Sequence, residues 1–325
     1  MRNYIIRRLL ILIPTLFLLT FLIFFMVSLV PGDIVDAMQA RSSEMTMDRE
    51  AIESSLGLDA PLVVQYFRWL GIAPQMDGKV SGLFQGDLGT SWWRKQPVGR
   101  LIAISWPVTL ELGILGLVIA NLISLPIGVF SALRQDKLGD YVARSYAVLC
   151  VSLPSFWLGT MVIVYPSIWW GYMPPILLTK FGDDPIGNLR MFVIPGIVMG
   201  MTMQGANMRL TRTMMLEVLR QDYVRTAWAK GLREKVIIMR HALKNALIPI
   251  VSSIGLQIPV LVGGTVIIEN IFNLPGMGRL ALNALLQRDQ PLIFGVVVFF
   301  AVALVLINLI VDLSYALLDP RIHYK

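Results

Sequence analysis

Two carboxylates stand inside otherwise apolar runs: Glu111 within residues 106–133, and Asp312 within residues 292–317. A charge at the centre of a bilayer helix costs about 2.5–3.5 kcal/mol on insertion scales, so such a group must either work or be paired. A proton or ion relay is one use; an interhelical hydrogen bond or ion pair that fixes packing is the other. Both groups lie near the ends of their runs, and the sequence offers no further carboxylate at mid-depth. Packing is therefore the favoured use of Glu111 and Asp312. A second constellation lies in residues 191–210, where Met199, Met201, Met203 and Met208 accompany Gln204 and Asn207. Flexible, polarizable thioethers suit a surface of varied contacts, so Met199, Met203, Gln204 and Asn207 are candidates for a translocation path. Ordinary core or lipid-facing filler is the alternative. Gly196, Gly200, Gly205 and Ala206 would let neighbouring helices approach this segment closely.

The third constellation is basic. Residues 217–249, EVLRQDYVRTAWAKGLREKVIIMRHALKNALIP, form an amphipathic island between two apolar segments. Asp222 is placed to cap a short helix, and Val224, Ala227, Trp228 and Gly231 follow at the spacing of one helical face. Gly231 falls where a helix ends on a residue with positive φ. A second helix over residues 233–245 would return the chain to the bilayer. The stretch is either a solvated loop whose cations set topology or a docking element for a partner protein.

Other chemistry has little to start from. Cys150 is the one cysteine, and His241 and His323 stand far apart, so neither a disulfide nor a histidine metal site is expected. No HExxH, GxSxG or phosphate-binding GxxxxGK-Ser/Thr pattern occurs, so no catalytic, cofactor-binding or metal-ligating residue is expected. The net charge of +7 is not assigned to nucleic acid, because in a chain with 56% hydrophobic residues the placement of Lys and Arg matters more than their sum.

The elements that position these residues are apolar runs of bilayer length. The first, residues 9–30, follows Arg2, Arg7 and Arg8 and contains Pro14; it is too long for a signal-peptide core and lacks a small-x-small cleavage site. Five more are expected at 106–133, 141–169, 191–210, 246–268 and 292–317. Residues 31–105 form an insert with short helices at 50–56 and 63–70, each before a glycine, and a glycine-rich turn region at 82–91. Trp69, Trp92 and Trp93 belong either at the membrane interface or in the insert's own core. Pro275-Gly276-Met277-Gly278 reads as a turn. The division is thus an N-terminal helix (1–30), an extracytoplasmic insert (31–105), a five-helix core (106–317) and a tail (318–325). With both termini cytoplasmic, 17 of the 28 Lys and Arg residues lie inside, and 7 of the other 11 fall in the long insert, where the rule is weak. The basic loop at 211–245 is then cytoplasmic as well.

Nine short motifs in order carry a family resemblance: Val30-Pro31-Gly32-Asp33 after the Arg-rich start, LGLDAP at 56–61 with Gln65-Tyr66, GDLGTS at 86–91, TLELG at 109–113, and SLPSF at 152–156. DYVRTAWAKGL at 222–232, HALKNA at 241–246, ENIF at 269–272 with Pro-Gly-Met-Gly, and Asp319-Pro320-Arg321 complete the set. The chain resembles, nearly end to end, a type I ABC importer permease, specifically the first of the two permease subunits of the dipeptide/oligopeptide and nickel uptake family. The resemblance implies an all-α integral membrane fold in the bacterial or archaeal inner membrane. It implies a second homologous permease, two ATPase subunits that bind ATP and Mg, and an extracytoplasmic solute-binding protein, with peptides as cargo or alternatively oligosaccharides or nickel chelates. It places a coupling helix at Asp222, Tyr223, Val224, Arg225, Thr226, Ala227, Lys230 and Gly231, with Val224, Ala227 and Gly231 shaping the ATPase contact. Arg225-Thr226-Ala227 stands where the wider family has Glu-Ala-Ala, Trp228 where a basic residue is expected, and Pro174-Pro175 where Pro-x-x-Gly is usual.

Overall fold

The computed structural model describes residues 2–29, 34–39, 48–175 and 177–318. The motif at 30–33 and that at 319–321 lie outside the described residues, as does the side chain of Asp312. The described residues are helical apart from loops and one isolated β-bridge, Thr90 to Pro97. The chain divides into two compact units, one drawn from residues up to Pro107 with Gly276–Leu306, the other from Val108–Pro275 with residues from Ile307 onward.

The first unit contains α1 (Arg2–Leu29), α2 (Ile34–Gln39), α3 (Arg49–Leu56) and α4 (Leu62–Leu70). Asp48 caps α3 by accepting from the Ala51 amide, and Gly57 and Gly71 end α3 and α4 at φ of 71° and 78°. Both stops fall where the sequence places them. α4 is apolar on the face carrying Tyr66 and Leu70, which pack with Phe24 of α1 and Phe294. The rings of Phe24 and Phe294 stack at 5.0 Å and Trp69 meets Phe294 edge-on at 5.4 Å. Trp93 donates its indole N–H to the Gln287 carbonyl at 2.8 Å. Trp69 and Trp93 therefore serve the unit's own packing. Asp289, fully buried, accepts from the Ser91 hydroxyl and the Trp92 amide, which fastens the 90–97 turn.

The second unit takes most of α5 (Val98–Leu133), then α6 (Leu138–Ser152), α7 (Ser155–Trp170), α8 (Pro185–Leu219), α9 (Asp222–Ala229), α10 (Glu234–Val236) and α11 (Lys244–Gly264). α12 (Val266–Ile271) closes it, while α13 (Met277–Leu286) and the start of α14 (Gln290–Leu318) belong to the first unit. Among the described residues, α5, α8 and the 290–311 part of α14 are each long and apolar enough to cross a membrane alone. At 36 and 35 residues, α5 and α8 span about 50 Å, well beyond the roughly 30 Å hydrocarbon core.

Two expectations are corrected here, and a third is met with a local change of helix type. The single crossing expected at 141–169 is two helices bent by 95° at Leu153-Pro154. Proline lacks an N–H and pushes its predecessor to extended backbone, and Leu153 indeed sits at φ −81°, ψ 123°. The returning helix expected at 233–245 is present and runs through a π-helical segment, Ile237–Leu243, directly into α11. The Pro-Gly-Met-Gly turn starts a helix, α13, which buries Met277, Leu280 and Ala284 at helical spacing.

The small residues of α8 act as expected. A Cβ at Gly205 would stand 2.5 Å from the Ala147 carbonyl of α6, and one at Gly200 2.9 Å from the Gly116 carbonyl of α5. Backbones meet there because no side chain intervenes.

Candidate functional site

The basic loop is built on α9, an eight-residue helix too short to be stable alone in water. Its N-cap is Gln221, whose backbone is extended at ψ 148°, and Asp222 is the first helical residue rather than the cap. Asp222 instead puts a carboxylate at the positive end of the helix dipole, 3.4 Å from Arg225. At the other end Gly231 takes φ 73°, its amide donating to the Trp228 carbonyl at 2.9 Å and the Leu232 amide to Ala227 at 3.4 Å. These two bonds satisfy carbonyls that the helix end would otherwise leave open. A Cβ at Gly231 would meet nothing within 4 Å, so any substitution there acts through the backbone. Gly231→Asn, which tolerates positive φ, should retain uptake, whereas Gly231→Val should cost about 1–3 kcal/mol locally and impair coupled uptake. Transport per ATP hydrolysed in the reconstituted importer measures the difference.

The apolar stripe of α9 faces inward. Val224 and Ala227 are 0% and 6% exposed and pack on Ile237, with Val218 and Leu219 beside them. Val224 and Ala227, expected to shape a partner contact, pack within this chain, and their burial helps to hold so short a helix in place. The outward surface carries Asp222, Arg225, Thr226 and Lys230, flanked by Tyr223 and Trp228, which are 43% and 49% exposed. The Tyr223 hydroxyl accepts from Asn245 Nδ2 at 2.8 Å, pinning the loop to the first turn of α11. Arg220, Arg233, Lys235, Arg240 and Lys244 are exposed around it.

Above the loop lies an ion pair that the sequence reading missed. Asp140 of α6 is fully buried and takes two bonds from Arg212 of α8, Nε to Oδ1 and Nη2 to Oδ2, both 2.7 Å. Ser131 Oγ donates to it at 2.6 Å and the Asp136 amide at 3.0 Å. The guanidinium thus ties the α5–α6 turn to α8 two turns before the loop begins. The signal was present as an acid among Arg134, Lys137 and Arg144, a segment otherwise used only for its positive charge.

Of the candidate path residues, Gln204 and Asn207 are each 1% exposed. Gln204 Nε2 donates to the Tyr146 hydroxyl at 2.7 Å and contacts Cys150 Sγ at 3.2 Å, joining α8 to α6. Asn207 bonds Asn121 of α5 and Gln257 of α11, with Asn207 Nδ2 at 3.2 Å and 3.3 Å from their carbonyl oxygens. In this chain these amides serve as interhelical ties, a use of polar groups that bilayer packing favours. Met199 is buried among Val108, Leu112 and Phe192, and Met203 is half-buried against the same cluster. Glu111 is half-buried. Besides Asp140, the buried acid of this unit is Glu269, 0% exposed, which accepts from Thr109 Oγ1 at 2.7 Å. It stands one residue past the expected end of its run, which is why depth counting passed over it.

With this geometry in hand, the family follows. Residues 124–324 match the binding-protein-dependent transport system inner membrane component, and residues 1–113 match the N-terminal membrane component of the same systems. The chain belongs to this permease family. It is 38% identical over 329 residues to the oligopeptide transport system permease protein AppB of Bacillus subtilis, with 100% of both chains covered. It is 36% identical over 325 residues to the glutathione transport system permease protein GsiC of Pectobacterium atrosepticum, again with 100% of both covered. The fold is similar to an inward-facing MetNI methionine ABC transporter structure, at TM-score 0.54 and 15% identity over 67% of this chain and 96% of that one. This permease is a non-catalytic, multi-pass inner-membrane component of a binding-protein-dependent transport system.

Proposed function

We propose that the chain is the first of two homologous permease subunits of a peptide importer. Its cargo arrives from an extracytoplasmic binding protein, and two ATPase subunits binding ATP and Mg drive the cycle. The observation that carries the peptide assignment is identity of 36–38% along the full length of permeases named for glutathione and oligopeptide transport. Six crossings fit the helices: α5, α8, α14, the bent α6–α7 pair, and α1 and α11, whose 28 and 21 residues are long enough to span. Both termini and the 211–245 loop then lie in the cytoplasm, and the 31–105 insert lies outside. α9 docks on the ATPase through Asp222, Arg225, Thr226, Trp228 and Lys230. Because α9 packs on Ile237 in the segment leading into α11 and follows α8 directly, a push on it reaches two helices at once. ATP-driven closure then biases a two-state bundle through differential contacts.

Uptake tests the cargo. Cells whose importer contains this permease should accumulate a labelled tripeptide, with excess unlabelled tripeptide competing and an oligosaccharide or nickel chelate not competing. Competition by the sugar or chelate alone would overturn the assignment.

A further inference from the structure

The helical stretch from Glu234 to Gly264 has two unlike sides where it leaves the basic loop. Ile238, Ala242, Ala246 and Ile250, spaced by four, are buried, the first three in a cluster with Met215 of α8 and Ala132 of α5. Val236, Arg240, Lys244 and Ile248 repeat that spacing two residues out of step, and all four are exposed. Residues four apart are neighbours on a helix surface, so these form one outward stripe.

The stripe changes character along its length. Arg240 and Lys244 stand one turn apart, with Met239 exposed beside them. From residue 248 through 256 the exposed residues are Ile248, Pro249, Val251 and Leu256, all apolar. A face that is cationic for one turn and apolar beyond it matches the step from lipid headgroups to hydrocarbon. Nothing nearby offsets the two cations. Residues 235–268 hold no Asp or Glu, and among the described residues no carboxylate lies within ion-pair distance of either. Arginine presents a planar fork of donors and lysine a point charge, and the oxygens of one phosphate can accept from both.

We propose that Arg240 and Lys244 hold the phosphate of an anionic phospholipid, whose acyl chains lie along the apolar continuation of the stripe. The site rests on α11 crossing the bilayer from a cytoplasmic loop, as read above, which places the lipid in the inner leaflet. Asn245, next in the chain, donates to the Tyr223 hydroxyl of α9, so the headgroup site adjoins the loop's own anchor.

The test measures phospholipid retained by the assembled importer in neutral detergent, by native mass spectrometry, with phosphatidylglycerol and phosphatidylcholine as probes. Phosphatidylglycerol should bind about thirtyfold more tightly. Arg240→Gln and Lys244→Gln should each weaken it about fivefold, and together about thirtyfold, with phosphatidylcholine unchanged. Arg240→Lys, which keeps the charge, should retain most of the affinity. Removing the same two charges at Arg233 and Lys235, which lie off the stripe, should change little. Matched melting curves check folding, and the comparison of the two lipids needs no variant. Equal binding of the two lipids overturns the proposal, as does an equal loss in the two doubly substituted proteins. Displacement of phosphatidylglycerol by glycerol phosphate at matched concentration would show a soluble-anion site and overturn the lipid assignment. Unchanged lipid affinity with loss of ATPase subunits from the Arg240 and Lys244 variants would make this face a protein contact and overturn it too. A cysteine at position 235 labelled from the outer side by an impermeant reagent would refute the cytoplasmic placement alone, leaving the binding result standing.

Discussion

Arg212→Ala should destabilise the permease by about 3–5 kcal/mol, because it leaves the Asp140 carboxylate buried with its main counter-charge gone. Asp140 is 0% exposed, and Arg144 stands farther off, its Nε 3.8 Å from Oδ1. The Ser131 hydroxyl and the Asp136 amide stay in place but cannot neutralise the charge. The partner substitution, Asp140→Asn, keeps the shape and should cost less, since an Arg212 side chain 18% exposed can turn toward water. Denaturation of the purified permease in lipid, followed by a helical signal, measures both. Equal, small losses for the two variants would show that the pair is incidental. The arrangement also bears on transport, since Arg212 joins α6 to α8 just before α9, so uptake should fall with Arg212→Ala even where folded protein remains.

Gly205→Leu should be comparably damaging for the opposite reason. The Ala147 carbonyl and the Val151 and Cys150 side chains already occupy the space a side chain would enter, at 2.5, 2.8 and 3.2 Å from the position of a Cβ. α6 and α8 must then separate, and the Gln204 bonds to Tyr146 and Cys150 separate with them. Overpacking of this kind typically costs about 1–3 kcal/mol and often more when backbone must move. Gly205→Ala should fall below Gly205→Leu in cost. Retention of normal folded yield and uptake in Gly205→Leu would contradict the close approach.

Local signals were the most legible part of the sequence. Gly57, Gly71 and Gly231 each end a helix in the left-handed region, as their positions after amphipathic segments imply. Apolar run length located the long helices to within several residues, but it could not show how far α5 and α8 continue past the bilayer. The Leu153-Pro154 break carried its own signal, since a proline restricts the residue before it, yet the surrounding apolar run concealed it. Helical spacing at Met277, Leu280 and Ala284 likewise marked α13 behind a Pro-Gly pair. The face of α9 was not legible at all. Val224 and Ala227 form one stripe whether they pack on a partner or on Ile237, and only tertiary structure decides between the two. Buried polar pairs were similarly hidden: Asp140 with Arg212, Glu269 with Thr109 and Asn207 with Gln257 join residues 50 to 160 positions apart.

Crosslinking at α9 tests the docking surface most directly. Single cysteines at Arg225, Trp228 and Ala227 would be introduced into the assembled importer; the native Cys150 is buried and can remain. Cysteines at 225 and 228, which stand outward, should crosslink to an ATPase subunit under brief oxidation with cysteines in its groove. The cysteine at 227 should not, because Ala227 lies against the permease's own Ile237. Efficient crosslinking at 227 with none at 225 or 228 would show that the inward stripe is the docking face and contradict the proposed surface.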